Sequence, residues 1–321
     1  MVTGRSGSIG NVFFIEEDFW PLNTTLYVKD FHGNDPRFVF HLLRKFDLRQ
    51  FAGGVGVPTL NRNSVHGELV GVPSLPEQKH IVAILDEAFA GIATAKANAE
   101  KNLQSGRKIF DFGLAQSFTA DTAAHKVAMR DLFDVGSSKR VLKSEWTNSG
   151  VPFYRGREVT RLSVDGCVAN ELFISEEHFA ELKRKYGVPS AGDIVVTAIG
   201  TIGNTYVVRE SDRFYFKDAS VLWLKKTSNV LSEFVNYWLK SPLFTDQLDK
   251  GNGATVDTLT IQKLSAVQLD VPSLSQQKVI VQRLDDLKRQ TQRIESIYTR
   301  KLAALDELKQ SLLRQAFSGQ L

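Results

Sequence analysis

The stretch VPSLPEQKHIV, residues 72–82, recurs 199 positions later as VPSLSQQKVIV, residues 271–281. Residues 8–11 (SIGN) similarly resemble residues 201–204 (TIGN). The offset of 199 also relates Leu85 to Leu284, Leu114 to Leu313 and Phe118 to Phe317. Because these matches keep one order along the chain, they indicate an internal repeat with a partial first copy and a complete second copy.

Each copy of this stretch predicts the start of a long helix. Ser74 with Glu77, and Ser273 with Gln276, have the spacing of a capping box. Apolar side chains then recur at intervals of three and four residues, which predicts two long helices suited to a coiled coil. Candidate docking residues for partner proteins on these helices are Ile81, Leu85, Phe89, Leu284, Leu287 and Ile294.

The remaining residues predict mixed α/β domains. Runs rich in β-branched and aromatic residues at 193–199, 204–208 and 219–224 predict strands, and residues 232–239 predict a helix with Ser232 at or near its start. A matching helix is expected around Pro36. The expected organisation is a partial first globular domain (1–70), a central helix (71–118), a complete second globular domain (119–270) and a distal helix (271–321).

The first globular domain is expected to lack its N-terminal half. The dipeptide Val2-Thr3 is aligned with Val196-Thr197, whereas the second copy begins near Lys126. About seventy residues of the second copy therefore have no counterpart before Met1. We expect this domain to be unstable or completed by a separate chain. A truncated gene, a phase-variable fragment awaiting recombination and a deliberately shortened fragment are all open alternatives.

Composition excludes several classes of protein. Hydrophobic residues make up 42% of the 321 residues and charged ones 24%, as in a soluble globular protein. No apolar run is close in length to the roughly eighteen residues that are needed to cross a bilayer. We therefore expect no membrane association and a cytoplasmic location. Cys167 is expected to be a packed or surface strand residue, and the six histidines have no zinc-ligand spacing.

No catalytic site is expected in this chain. The glycine turns at 7–10 and 200–203 lack the Lys-Ser/Thr of a phosphate-binding loop and favour tight turns between strands, whose backbone and hydroxyl groups could also approach DNA phosphates. Residues 34–38, Asn-Asp-Pro-Arg-Phe, resemble a methyltransferase base-gripping loop only faintly and favour a helix start. We expect no bound cofactor and no metal site.

Loops of basic and polar residues are the best candidates for function, because arginine can read guanine in the major groove while lysine and threonine can hold phosphates. The net charge of +4 is by itself weak support for nucleic-acid binding. Candidate DNA-binding residues are Lys139, Arg140, Arg155, Arg157, Thr201, Asn204, Asn252, Thr255, Arg5 and Ser8. For each of them, ordinary surface-loop chemistry is the alternative.

The whole chain resembles the specificity subunits of type I restriction-modification systems. The resemblance lies in the combination of two globular units, the two helix starts at 72–82 and 271–281, the run 192–196 (GDIVV) followed by the turn at 200–203, and the ending LLRQAFSGQL at 312–321. The beginning of the chain departs from this pattern, because a full subunit begins with a complete first domain.

The resemblance implies that each globular unit is a target recognition domain for half of a bipartite site in double-stranded DNA. It implies that the two long helices pack as an antiparallel coiled coil, set the distance between half-sites and dock DNA methyltransferase subunits. S-adenosylmethionine, ATP and Mg are then expected on those subunits and on a restriction/translocase subunit. The alternatives are a docking or structural protein, a dimerising half-subunit without bipartite recognition and, third, a self-contained methyltransferase or nuclease.

Overall fold

The computed structural model describes residues 1–54, 56–119, 125–248 and 258–320. Two compact units are present: the first comprises Met1–Ser105 with Ile294–Leu321, and the second comprises Gly106–Arg293. Each unit contains a globular part and portions of both long helices. The domain boundaries expected from the sequence stay predictions.

The globular part of the first unit is small. Its elements are strands β1 (Val2–Gly4), β2 (Val12–Phe13) and β3 (Thr25–Tyr27), helix α1 (Pro36–Lys45), strands β4 (Ala52–Gly53) and β5 (Thr59–Leu60), and helix α2 (Arg62–His66). Strand β1 lies between β2 and β3 in an antiparallel sheet, and β4 pairs with β5. The central long helix, α3 (Leu75–Thr119), begins in this unit.

The second unit holds most of the sheet structure. Its first half contains β6 (His125–Ala128), α4 (Met129–Leu132), β7 (Phe133–Ser137), β8 (Trp146–Thr147), β9 (Val151–Tyr154), α5 (Gly156–Asp165), β10 (Phe173–Ile174) and α6 (Glu176–Tyr186). Its second half contains β11 (Ile194–Thr197), β12 (Thr205–Val207), β13 (Tyr215–Phe216), β14 (Val221–Lys226), α7 (Ser232–Leu239), α8 (Pro242–Leu248), α9 (Ile261–Ala266) and β15 (Gln268–Val271). The distal long helix, α10 (Leu274–Ala316), begins here.

Two four-stranded sheets form the body of the second unit. One has the order β12-β11-β14-β7 and is antiparallel, and the other has the order β13-β9-β10-β8, in which β13 runs parallel to β9. Side chains of β11 alternate between two cores, because successive residues of a strand point to opposite faces. Ile194 and Val196 lie in the core formed with α7, whereas Val195 lies in the core formed with α5.

The mixed α/β class is confirmed, but two local predictions are wrong. Cys167 is exposed in the segment that follows α5, and it is not in a strand, because Gly166 in the left-handed region ends that helix. Strand β1 is aligned one residue differently from the prediction. The backbone N–H of Leu60 donates to Arg5 O and that of Leu259 to Ala198 O, so Val2 corresponds to Val195 and not to Val196.

The two long helices form as predicted and pack together in an antiparallel pair. In the first unit, Lys96 near the middle of α3 forms an ion pair with Asp306 of α10, and Asn102 Nδ2 donates to Tyr298 OH at 3.0 Å. In the second unit, Gly113 of α3 lies against Leu287 of α10. A Cβ added to Gly113 would lie 2.3 Å from Leu287 Cδ2, so the glycine permits this close approach.

Equivalent aromatic contacts anchor the globular part of each unit to the helix ends. In the first unit, the ring of Phe38 on α1 lies 5.2 Å from that of Phe317, just beyond α10. In the second unit, the ring of Phe234 on α7 lies 5.4 Å from that of Phe118 on α3. Since Phe118 and Phe317 are equivalent in the repeat, the two helices exchange roles between the units.

An aspartate of each long helix also contacts the short helix of its unit. Tyr237 OH of α7 donates to Asp285 of α10, and His41 Nε2 of α1 lies 3.1 Å from Asp86 Oδ1 of α3. Asp86 and Asp285 differ by the repeat offset of 199. The first unit therefore has a titratable imidazole at the position where the second unit has a phenol.

We expect this imidazole to make the stability of the first unit depend on pH. Burial lowers the pKa of His41 below its usual 6.5, and the hydrogen bond and charge of Asp86 offset only part of that effect. Because the pKa of His41 is lower in the folded state, its contribution to the free energy of unfolding is complete above the pKa of histidine in the unfolded chain. That contribution is lost as the pH falls towards and through the pKa of the folded state. The measurement is the free energy of urea unfolding between pH 7.5 and 5.

His41→Gln removes the titration and should flatten this dependence. The control is His66→Gln, which replaces an exposed histidine of the same unit and should leave the dependence unchanged. Equal pH slopes for the wild-type protein and the His41→Gln variant would contradict the assignment.

Candidate nucleic-acid interface

Loops from separate strands meet at one edge of the second unit. Ser138 Oγ donates to Phe216 O at 2.7 Å, which joins the ends of β7 and β13. The backbone N–H of Lys217 donates to Tyr154 O at 2.7 Å, which joins β13 to β9. The N–H of Ala198, just beyond β11, donates to Ser220 O at 2.9 Å. We call this surface the loop edge, and it comprises residues 137–140, 154–161, 198–204 and 216–220.

A buried carboxylate holds two of the candidate arginines at the loop edge. Glu158, on the first turn of α5, is only 2% exposed. Its carboxylate accepts from Arg155 Nε at 3.1 Å, Arg155 Nη2 at 2.8 Å and Arg157 Nε at 3.0 Å. Arg157 also forms an ion pair with Glu171. The two guanidinium groups are therefore oriented by the protein and partly neutralised.

The ionised form of Glu158 is strongly favoured. Burial by itself would raise the pKa of this carboxyl, but the hydrogen bonds from Arg155 and Arg157 outweigh it and lower the pKa to about 2. The carboxylate consequently stays charged at every physiological pH. It therefore holds the two guanidinium groups in place by charged hydrogen bonds.

Four further cations at the loop edge are exposed to solvent: Lys139, Arg140 and Lys217 in loops, and Arg161 on α5. The backbone N–H of Lys139 donates to Tyr215 OH at 2.8 Å, and its Nζ lies 5.5 Å from the ring centroid of Tyr186. Lys217 was missed from the sequence, because only the parallel pairing of β13 with β9 brings it beside Arg155. Its position directly after a short aromatic strand was the one available signal.

The turn at 200–203 adds polar groups to the loop edge. It connects the antiparallel strands β11 and β12, as the sequence favoured, with Gly200 at φ +77° and Gly203 at φ +87°. Thr201 is exposed, and its Oγ1 lies 3.2 Å from Thr160 Oγ1 of α5. Asn204 Nδ2 donates to Thr201 O at 3.1 Å. Thr160 is a second member of the site that the sequence did not indicate.

Two other candidates lie in the first unit, and two fall outside the described residues. The latter two are Asn252 and Thr255. Arg5 and Ser8 are exposed in the first unit, at the positions that correspond to Ala198 and Thr201. The structure therefore places them at the equivalent edge of their own unit.

Most candidate docking residues are enclosed within their own units. Leu85 and Leu284 are 0% exposed and Ile81 is 7% exposed. Phe89, Leu287 and Ile294 are half-buried. The contacts of the long helices with the short helices α1 and α7 include Ile81, Leu85, Phe89 and Leu284, which therefore face inward. On the long helices of the second unit, Ile109, Phe112 and Val279 are exposed apolar side chains that line one groove.

The segment at 34–38 is a helix start. The side chain of Asp35 accepts from the backbone N–H groups of Arg37 and Phe38, so Asp35 is the N-cap of α1. Among the described residues, no cluster of three or more histidine, cysteine, aspartate or glutamate side chains could hold a metal ion. Within the same ranges, no helix has the length and apolar character needed to span a bilayer.

Each unit has an α/β globular part and portions of two long antiparallel helices, and the loop edge of the second unit collects basic and polar side chains of the kinds that contact DNA. The model of the type I restriction modification DNA specificity domain matches residues 1–103 and 124–301. The chain therefore belongs to this family, and it is a specificity subunit, the non-catalytic component of type I systems.

Relatives and solved structures agree with this assignment. The chain is 27% identical over 282 residues to a putative type I restriction enzyme specificity subunit of Haemophilus influenzae. The aligned region spans 86% of this chain and 70% of that protein. It is 24% identical over 314 residues to the EcoBI specificity subunit of Escherichia coli, in an alignment that spans 89% of this chain and 65% of that protein.

Two solved structures share the fold. A chain from a study of complex assembly and conformational transition of the type I restriction-modification system superposes with a TM-score of 0.75 at 21% identity, over 90% of this chain and 72% of that one. The HsdS subunit of Thermoanaerobacter tengcongensis superposes with a TM-score of 0.58 at 20% identity, over 89% of this chain and 71% of that one.

Proposed function

We propose that this chain reads a bipartite site in double-stranded DNA, one half-site with each globular part, and docks DNA methyltransferase subunits through its long helices. Methyl transfer from S-adenosylmethionine then belongs to those subunits, and ATP- and Mg-dependent translocation and cleavage belong to a restriction subunit. The assembly would work in the cytoplasm.

The loop edge carries the proposal. Of its six basic side chains, Arg161 lies on α5 and the other five come from the ends of three strands: Lys139, Arg140, Arg155, Arg157 and Lys217. Contacts to phosphates position a protein on DNA, whereas arginine donors read the edges of bases. Exposed Lys139, Arg140 and Lys217 suit phosphates, and the oriented Arg155 and Arg157 suit bases. Thr201 and Asn204 add neutral donors beside them.

The exposed apolar residues of the helix pair are the proposed docking surface for methyltransferase subunits. Phe112 is 67% exposed, Val279 is 65% exposed and Ile109 is 50% exposed. They line one groove with Gly113 and Leu287 of the same unit. A contiguous apolar surface of this kind is typical of a protein–protein interface. This groove replaces the inward-facing residues, such as Leu85 and Leu284, as the proposed contact.

Co-expression with methyltransferase subunits, followed by mapping of methylated adenines and cytosines in cellular DNA, tests the proposed function. A split motif with two defined half-sites is the expected result. A symmetric motif would favour the alternative in which two copies of the second unit pair. A stable complex without methylation would favour a docking-only protein, and the absence of any complex would contradict the proposal.

The exposed cations of the loop edge should contribute to the salt dependence of DNA binding. Simultaneous replacement of Lys139, Arg140 and Lys217 by alanine removes up to three phosphate contacts. The slope of log K against log salt concentration should then fall by about 2 to 3, since each contact contributes about 0.9. The measurement is a titration of the mapped DNA site with the assembled complex at several salt concentrations.

The control for this experiment is the simultaneous replacement of Arg300, Lys301 and Arg314 by alanine. These exposed residues of α10 carry the same total charge and lie in the first unit. A change in slope of the same size for both variants would indicate a general charge effect and would contradict a specific role of the loop edge.

A further inference from the structure

A buried glutamine connects the start of α10 to the globular part of the second unit. Gln277 lies on the first turn of α10 and is 3% exposed. Its Nε2 donates to Pro272 O, immediately before the helix, at 2.9 Å. Its Oε1 accepts from the backbone N–H of Leu231, the N-cap residue of α7, at 2.9 Å. One side chain thus joins the beginnings of two helices.

The first unit repeats this arrangement with an equivalent residue. Gln78 on the first turn of α3 is 2% exposed, and its Nε2 donates to Pro73 O at 2.9 Å. Its Oε1 accepts from the backbone N–H of Asp35, the N-cap residue of α1, at 2.8 Å. Asn34 Oδ1 accepts a further bond from Gln78 Nε2 at 2.9 Å. Both units therefore have the same two hydrogen bonds, one to the proline carbonyl before the long helix and one from the N-cap residue of the short helix.

These hydrogen bonds restrict orientation more than apolar contacts do. Packing of Phe38 or Phe234 against the helix ends is non-directional, and such contacts tolerate small rotations. A hydrogen bond weakens steeply when its angle falls. Each glutamine donates to the proline carbonyl that precedes its long helix and accepts from the N-cap residue of the short helix, so it holds the short helix at a defined angle to the long one.

We propose that Gln78 and Gln277 are positioning residues that set the distance between the two DNA half-sites. This inference rests on the proposed bipartite function. If the long helices determine the separation of the recognition loops, the angle at which each globular part leaves its helix determines where those loops meet the DNA. Loosening that angle should therefore reduce the discrimination between spacer lengths more than it reduces DNA binding itself.

The test measures methylation of DNA duplexes that carry the mapped site with its natural spacer, or with the spacer lengthened or shortened by one and two base pairs. The protein is the full chain assembled with its methyltransferase subunits. Gln277→Met keeps the length of the side chain but loses both hydrogen bonds. We expect the ratio of rates on natural and altered spacers to fall about tenfold, the effect of losing two neutral hydrogen bonds.

Gln277→Glu is the second variant, because it keeps an acceptor for Leu231 N–H and loses the donor to Pro272 O. It should fold even if the methionine variant does not, and should show a smaller loss of spacer selectivity. The matched control is Gln310→Met, since Gln310 is exposed on the same helix. That variant should keep the wild-type ratio.

The outcomes distinguish this inference from the proposed function. A wild-type complex without a split target or without any spacer preference would contradict the proposed function. A selective wild-type complex, together with folded Gln277 variants that keep the same selectivity, would overturn the positioning role alone. Loss of stability without loss of selectivity would likewise mean that the glutamine is only structural.

Discussion

Replacing Leu284 by alanine is expected to lower the free energy of unfolding by about 3 kcal/mol, because a large side chain is removed from a closed contact. Leu284 is 0% exposed and packs with Leu114 of α3 and Tyr237 of α7. Two long helices and the globular part of the second unit therefore meet at this side chain. The measurement is urea unfolding followed by circular dichroism.

Leu308→Ala is the matched control for this prediction. Leu308 lies on the same helix and is 46% exposed, so its truncation should change the free energy of unfolding by less than about 0.5 kcal/mol. Leu85→Ala should resemble Leu284→Ala, since Leu85 is also 0% exposed at the equivalent contact of the first unit. Equal, small losses for all three variants would contradict the buried contacts.

Glu158→Gln is expected to lower the free energy of unfolding by about 3 kcal/mol at pH 7, because it removes the charge that Arg155 and Arg157 surround. The same change frees both guanidinium groups, so sequence discrimination by the loop edge should also decrease. Urea unfolding gives the first quantity, and binding to the mapped site and to single-base variants of it gives the second.

The pH dependence of this variant provides an independent check. The pKa of Glu158 is about 2 in the folded protein, below its usual 4.5. Its stabilisation is therefore complete above pH 4.5 and is lost as the pH falls towards 2. The difference between the wild-type protein and Glu158→Gln should shrink over that range.

Glu177→Gln, an exposed change on α6, is the control, and its effect should be within about 0.5 kcal/mol. If Glu158→Gln were no more destabilising than this control, the buried ion pair would contribute nothing.

Much of the architecture was predictable because its signals are local or repeated. The capping residues Ser74 and Ser273 and the intervals of three and four between apolar residues define the long helices without knowledge of their partners. The two copies of one motif indicate two related units. Runs such as 193–199 predict strands because β-branched and aromatic residues fit a buried sheet.

The register of the partial copy was not predictable. Val-Thr occurs both at 2–3 and at 196–197, and this short identity suggested an alignment that is wrong by one residue. Backbone hydrogen bonds from Leu60 and Leu259 determine the true correspondence. A shift of one residue in a strand moves each side chain to the other face, so only the pairing itself decides it.

The sequence by itself determined the repeat, the mixed α/β class, the two antiparallel helices and the family to which the chain belongs. Only the tertiary structure decided which residues come together. It pairs the strand before Lys217 with the strand before Arg155 and places Glu158 against two arginines. It also buries Leu85 and Leu284 inside the units and places Gln78 and Gln277 between helices. Periodicity reports the environment of a residue along its own element. Contacts between loops depend on strand pairing across many residues, as between β9 and β13, which no local pattern contains.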